Sequence, residues 1–176
     1  MLFSDTSLLT MFHGIVLSGG ALLALAAALY TLFATAVPQG TVVVARQTSA
    51  YAWLMIAASV LLWAAVLGGT YVVFPIYRLP PPEGTLLLDA YPRALLLSKP
   101  ETAWLHSFAM EIKEHMPWIA AMLTTAATAI GTRYRATLFG DTQLRQLSIA
   151  LVAIALTIVS LTALLGVFVN KLAPVW

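Results

Sequence analysis

Two long stretches of this sequence, residues 8–36 and 49–77, contain no charged side chain. The hydrocarbon core of a bilayer is about 30 Å thick, and a helix of about 20 apolar residues crosses it. Each stretch is longer than that, and an uninterrupted apolar run of this length is typical of a transmembrane helix. The two stretches therefore predict two membrane-spanning helices.

Two further stretches, residues 99–132 and 144–170, are also long and largely apolar. Charged residues make up only 9% of the chain, whereas soluble domains carry roughly 25%. Because the first twelve residues include no Lys or Arg, we expect the first stretch to be a retained helix and not a cleaved signal peptide. The sequence thus predicts an all-α membrane protein, a single domain over residues 1–176 built as a four-transmembrane-helix bundle.

A long and partly apolar loop is predicted between the second and third helices. It contains two leucine triplets, at 86–88 and 95–97. Exposed to water, the triplets would form an apolar patch, so we expect this loop to lie on the bilayer surface or against a partner protein. Ser98 and Asp141 are expected to cap the third and fourth helices, since Ser and Asp are favoured N-caps.

The orientation of the helices is predicted from Lys and Arg in the loops. Both sides of the membrane carry four such residues: Arg46, Arg133, Arg135 and Arg145 on one, and Arg78, Arg93, Lys99 and Lys171 on the other. The loops of the first set are shorter, so their positive charge is denser. This favours both termini outside the cytoplasm of a prokaryotic-type inner membrane. The cations form no clustered basic patch, which argues against nucleic acid as a partner.

Three histidines, His13, His106 and His115, are expected near one face of the membrane, because the first and third helices begin on the same side. Two histidines on adjacent helices can bind the iron of a haem b as axial ligands, without covalent attachment. The expected pair is His13 with either His115 or His106. Small residues near His13 would leave room for the haem ring: Gly14, Gly19 and Gly20.

Three charged residues precede or adjoin His115 on the third helix: Glu111, Lys113 and Glu114. One hypothesis is a non-haem metal site, since a mixture of Glu and His suits zinc, iron or copper. Its ligands would be His13, Glu111, Glu114 and His115. In a haem or quinone site, Lys113 could hold a propionate or a headgroup, and the two glutamates could pass protons to a quinone. The remaining alternative is a structural polar cluster in which Lys113 pairs with Glu114 or with a partner subunit.

The chain has four predicted helices, histidines near one face and few residues outside the membrane. This general plan resembles small b-type cytochrome membrane subunits. The resemblance implies a membrane subunit of a respiratory or photosynthetic electron-transfer complex that binds haem b or a quinone, with the lipid bilayer and other membrane-protein subunits as partners. A non-catalytic structural or assembly subunit is the first alternative, and a small metal-binding membrane protein or transporter is the second. The sequence favours an electron-carrying or non-catalytic subunit over a free-standing enzyme.

Overall fold

The computed structural model describes residues 4–34 and 41–174, with the backbone alone for 41–44. This part of the chain is 83% helical and contains no strand. Its helices are α1 (Asp5–Ala34), α2 (residues 41–77), α3 (Pro92–Leu97), α4 (residues 100–133) and α5 (Thr142–Leu172). The predicted bounds of the third and fourth long helices hold to within two residues, whereas α2 begins eight residues before the predicted start at 49. The predicted end of the first helix, at residues 35–36, lies outside the described residues.

Three helices of the described ranges are long and apolar enough to cross a bilayer: Asp5–Ala34, Ala45–Tyr77 and Thr142–Leu172. They support an integral membrane protein in contact with lipid. The helix α4 does not meet the same condition. Charged residues at its start and several threonines in its second half lower its hydropathy.

Each long helix packs against two neighbours, in the order α1, α2, α4, α5 and back to α1. Small side chains fill the centre, among them the fully buried Ala21, Ala28, Ala58, Ala120 and Ala155. Helices in lipid associate through small residues because these let the backbones approach closely. The sequence therefore forms a bundle whose interior is narrow and tightly packed.

Interhelical hydrogen bonds join α2 to α4. Thr128 Oγ1 donates to the backbone carbonyl of Met55 at 3.0 Å, and Trp63 Nε1 donates to Thr125 Oγ1 at 2.9 Å. Because hydrocarbon offers no competing partners, such bonds add to the association of membrane helices. They fix the register of α4 against α2.

The segment between α2 and α4 closes one end of the bundle. Leu96 on α3 is buried against Leu105 and Val169, so the second leucine triplet packs partly on this chain's own helices. The first triplet differs, because the side chains of Leu86 and Leu87 are 95% and 77% exposed. The first triplet therefore offers most of the exposed leucine surface for the lipid or partner contact expected from the sequence, and Leu97 of the second triplet is 44% exposed.

The two predicted helix caps have different outcomes. Asp141 caps α5, where its Oδ1 accepts from the backbone N–H groups of Gln143 at 2.8 Å and Leu144 at 3.1 Å, which confirms the prediction. The prediction for Ser98 is wrong. Its hydroxyl donates backwards to the Leu95 carbonyl at 2.7 Å, and Lys99 occupies the N-cap position of α4.

Three of the long helices contain a π-helical segment, in which each N–H bonds to a carbonyl five residues earlier. The segments are Phe12–Gly19 in α1, Gly69–Val73 in α2 and Leu105–Met110 in α4. All three lie towards the end of the bundle where α1 and α4 begin and α2 ends. Since π turns occur frequently at functional sites, this end of the molecule is the place to look for one.

Candidate functional site

His106 lies between a buried tyrosine and an arginine at this end of the bundle. Its Nδ1 is 3.0 Å from the Tyr77 hydroxyl, and Arg93 Nε donates to its Nε2 at 3.2 Å. An arginine nitrogen can only donate, so Nε2 must be the acceptor. Neutral His106 therefore carries its proton on Nδ1 and donates it to the Tyr77 oxygen.

The surroundings of His106 favour this neutral form. Partial burial lowers the pKa of His106, and the charges of Arg93 and Arg78 lower it further. Both ring nitrogens are occupied, so binding of an iron or another metal at Nε2 would first require Arg93 to move away. The sequence predicted His106 near the start of the third helix but gave no sign of these partners.

His115 has a different environment, on the outward face of α4. Its Nδ1 lies 2.8 Å from the backbone carbonyl oxygen of Glu111 and 3.8 Å from that residue's Oε2. The side chain is 72% exposed. Since a carbonyl accepts, Nδ1 carries a proton, and in the neutral imidazole Nε2 is the acceptor on the outside of the bundle.

His13 packs inside the bundle, over a glycine of the neighbouring helix. A Cβ placed on Gly69 would lie 2.8 Å from Cε1 of His13, which means that the ring occupies the space of the missing side chain. Its Nδ1 is buried and has no hydrogen-bond partner among the described residues. The backbone carbonyl of His13 accepts from Ser18 Oγ at 3.0 Å, within the π-helical part of α1.

Lys113 also packs against a glycine of a neighbouring helix, on the opposite side of the bundle from His13. A Cβ on Gly166 of α5 would lie 3.0 Å from its Nζ, and its charge acts on the His13 imidazole. No residue of the described ranges forms a hydrogen bond or an ion pair with Lys113. The lysine and His13 thus form one polar layer, which two glycines accommodate.

Glu114 follows Lys113 in α4. One carboxylate oxygen, Oε1, is buried and has no hydrogen-bond partner in the described part of the chain. The carboxylate acts electrostatically on the Tyr77 hydroxyl, and the nearby charges that act on it are those of Arg78, Glu111 and His115. No ion pair joins Lys113 to Glu114 among the described residues, and the Lys113 Nζ lies beside Gly166 of α5.

The six predicted site residues are therefore distributed over three local groups. His13 lies with Lys113, His115 with Glu111, and His106 with Tyr77 and Arg93, next to Glu114. Within residues 4–34 and 41–174, no three His, Asp or Glu side chains come together as a group that could bind one metal ion. The four predicted metal ligands do not form such a group either.

Four residues of the site were not singled out by the sequence. Tyr77 is the last residue of an uncharged span, and its position directly before Arg78 was a signal that it lies at the membrane face. Arg93 carries no such signal, because it comes from the connecting segment. Gly69 and Gly166 are conspicuous as glycines, but the sequence does not show which side chain fills the space beside each.

A Gly69→Ala substitution is expected to lower the stability of the bundle by about 1–3 kcal/mol, as overpacking does. The added methyl group would displace the His13 ring. Gly68→Ala is the matched control, because a Cβ there meets no atom within 4 Å. Thermal unfolding of both variants in one detergent measures the difference. Equal midpoints for the two would show that His13 does not fill the space at Gly69, and a His13→Ala background should remove the penalty.

Comparison with known protein families, with curated proteins and with solved structures finds no match for this chain.

Proposed function

We propose that this protein is an integral membrane subunit of an electron-transfer complex, and that it binds haem b or a quinone near the membrane face where α1 and α4 begin. The observation that carries this proposal is the orientation of His115. Its Nδ1–H is held by the Glu111 carbonyl, and its Nε2 faces outwards. Histidines that bind a metal commonly donate their other N–H to a carbonyl or carboxylate, which fixes the ring and its tautomer.

The proposal includes a fourth transmembrane helix. The segment Glu111–Arg133 contains 23 residues, which corresponds to about 34 Å of helix and matches the thickness of a bilayer core of about 30 Å. It packs along α2 and α5, both of which are apolar enough to span a membrane. The loop arginines favour both termini outside the cytoplasm of a prokaryotic-type inner membrane.

The exposed position of His115 suggests where a cofactor would bind. Two apolar side chains follow it on the outward face of the same α-helical segment, and both are exposed: Ile119 and Met122. A haem or quinone ring on this face would contact this apolar surface beside the His115 Nε2 atom. His13 lies inside the bundle, so it would not hold the same cofactor as His115, and a second residue that holds a haem would come from a neighbouring subunit. Haem iron would supply one-electron chemistry when bound.

The second candidate is a structural or assembly subunit without a cofactor, and a separate observation favours it. Leu86 and Leu87 are 95% and 77% exposed, and they extend from the loop that closes the bundle. Two leucines in that position suit a contact with lipid or with another subunit. Under this alternative, the Glu111–His115 pair would hydrogen-bond to a partner protein.

A His115→Ala substitution is expected to abolish the haem absorption of the protein in its native complex while leaving assembly intact. The measurement is a reduced-minus-oxidised visible spectrum with a pyridine haemochrome assay, together with extraction and identification of bound quinone. His106→Gln is the control, since both nitrogens of His106 already have partners and its loss should leave the haem in place. A native complex with neither haem nor quinone on this subunit would contradict the proposal and favour the structural subunit.

A further inference from the structure

We infer that the interior of the bundle, at the end opposite the histidines, binds a water molecule between Tyr51, Ser148 and Gln47. Tyr51 and Gln47 belong to α2 and Ser148 to α5, two helices that lie diagonally in the ring of four. The bound water would join these two helices through the centre of the protein. This inference goes beyond the proposed electron-transfer role and does not depend on a bound cofactor.

The Tyr51 side chain reaches from α2 into the centre of the bundle. It is fully buried, and its hydroxyl interacts with the Ser148 side chain of α5. The two oxygens nevertheless do not form a direct hydrogen bond, because each is buried without a hydrogen-bond partner among the described residues. Polar groups that face each other beyond direct hydrogen-bond distance are commonly bridged by water.

Ser148 differs from buried and half-buried threonines of the same bundle. The hydroxyls of Thr124, Thr157 and Thr162 each donate to the carbonyl four residues earlier in their own helix, a bond that serine and threonine can form within helices. Ser148 is fully buried, yet its hydroxyl has no partner of this kind within the described ranges. It is therefore available for a partner in the interior.

Gln47 supplies a third polar atom. It lies one turn before Tyr51 on α2, so the two side chains share a face of the helix. Its Oε1 is buried and unpartnered in the described part of the chain. This amide oxygen can only accept, whereas the Tyr51 and Ser148 hydroxyls can both donate and accept. A ligand of these three uncharged groups must be able to donate and accept hydrogen bonds, and it needs no charge.

The packing around Tyr51 limits the ligand to a small molecule. A Cβ at Gly131 would lie 2.6 Å from Cε1 of the ring, and Phe139 packs edge-on against it. Water is small, donates and accepts, and makes about three hydrogen bonds when it is buried in a protein. Hydrocarbon cannot replace it as a partner, and buried polar atoms are costly to leave unpaired. Water is therefore the ligand that this site fits.

The sign of a stability change tests the site. Without the water, Tyr51→Phe would remove an unpaired hydroxyl from the interior and stabilise the protein. With the water, the same substitution breaks a hydrogen bond, so the equilibrium constant for folding should fall about tenfold in a denaturing-detergent titration of the full-length protein. Tyr71→Phe is the matched control and should change nothing, because Tyr71 is 69% exposed on the outside of α2. An unchanged or larger constant for Tyr51→Phe would overturn the inference.

A second measurement distinguishes the water from a direct bond that Tyr51 and Ser148 could form after a small movement. X-ray radiolysis converts a bound water molecule into a hydroxyl radical, which adds to an adjacent aromatic ring. In isotopically labelled water, we expect labelled oxygen on Tyr51 of the wild-type protein in lipid nanodiscs, although the ring does not contact the solvent. Ser148→Val fills the site with an apolar group and should remove the label.

A wild-type protein without labelled oxygen on Tyr51 would overturn the inference, even if Tyr51→Phe lowers stability. This result does not require any variant to fold, so the test stays decisive if the substitutions disturb packing. Neither measurement depends on haem or quinone. Failure of the water site is therefore distinguishable from failure of the proposed cofactor site at His115.

Discussion

Gly131→Ala is expected to be the most damaging single-methyl substitution in the bundle. A Cβ at Gly131 would lie 3.0 Å from Cδ1 and only 2.6 Å from Cε1 of Tyr51, and real Cβ atoms essentially never approach another atom as closely as 2.6 Å. The Tyr51 ring is fully buried and packs edge-on against Phe139 with the centroids 6.3 Å apart. Because the ring has no free space into which to turn, α2 and α4 must separate, at a cost of about 1–3 kcal/mol or more.

Unfolding of the Gly131→Ala variant by a denaturing detergent, followed by circular dichroism, measures this loss. Gly14→Ala is the matched control, since a Cβ there meets no atom within 4 Å, and its stability should equal that of the wild type. A double-mutant cycle sharpens the test, because the penalty of Gly131→Ala should shrink when Tyr51 is replaced with leucine. If Gly131→Ala unfolds at the wild-type midpoint, the close contact between α2 and α4 at this level is refuted.

Lys113→Met is expected to raise the stability of the protein, whereas Gly131→Ala lowers it. The Lys113 ammonium lies against Gly166 and near His13, and no described residue pairs with it. An unpaired charge placed in a packed membrane bundle is costly, whereas methionine fills a similar volume without that cost. We expect the variant to be more stable than the wild type, by about 1 kcal/mol or more.

The same detergent titration measures this gain, with Lys171→Met as the control. Lys171 is exposed in the last turn of α5, where a lysine reaches water, so its replacement should have little effect. A Lys113→Met variant less stable than Lys171→Met would show that the Lys113 ammonium is paired in the intact protein. A gain in stability would instead mark Lys113 as a residue retained for function, since functional groups are often kept at the expense of stability.

The transmembrane character of the chain could be predicted from the sequence because it depends on hydropathy alone. The two uncharged runs predicted the helices α1 and α2. The predicted range of α5 was two residues short at each end. The long α4 was predicted as a helix from its length, but charge at its start and threonines in its second half keep its hydropathy below that of the other three. Whether it spans depends on its packing against α2 and α5, which hydropathy does not describe.

The candidate site could be predicted only as a set of polar residues at one end. The sequence located His13 and His106 on that side, because both follow the start of a long helix. It could not identify Arg93, which is brought to His106 by the fold of the connecting segment, and so it could not assign the histidine tautomer. The prediction that Ser98 caps α4 was wrong for a related reason. The Ser98 hydroxyl donates to the turn before it, and α4 starts one residue later than expected.

The π-helical segments also limit what a helical wheel can show for this chain. Each wider turn accommodates an extra residue, and one residue corresponds to about 100° of rotation in an α-helix. A wheel drawn through Phe12–Gly19 therefore assigns His13 and Ala21 to faces that they do not share in the folded protein. In evolutionary terms, such single-residue insertions let the polar end of a helix rotate independently of its lipid-embedded half. New side chains can then be presented at the membrane face while the alanine-lined interior stays unchanged.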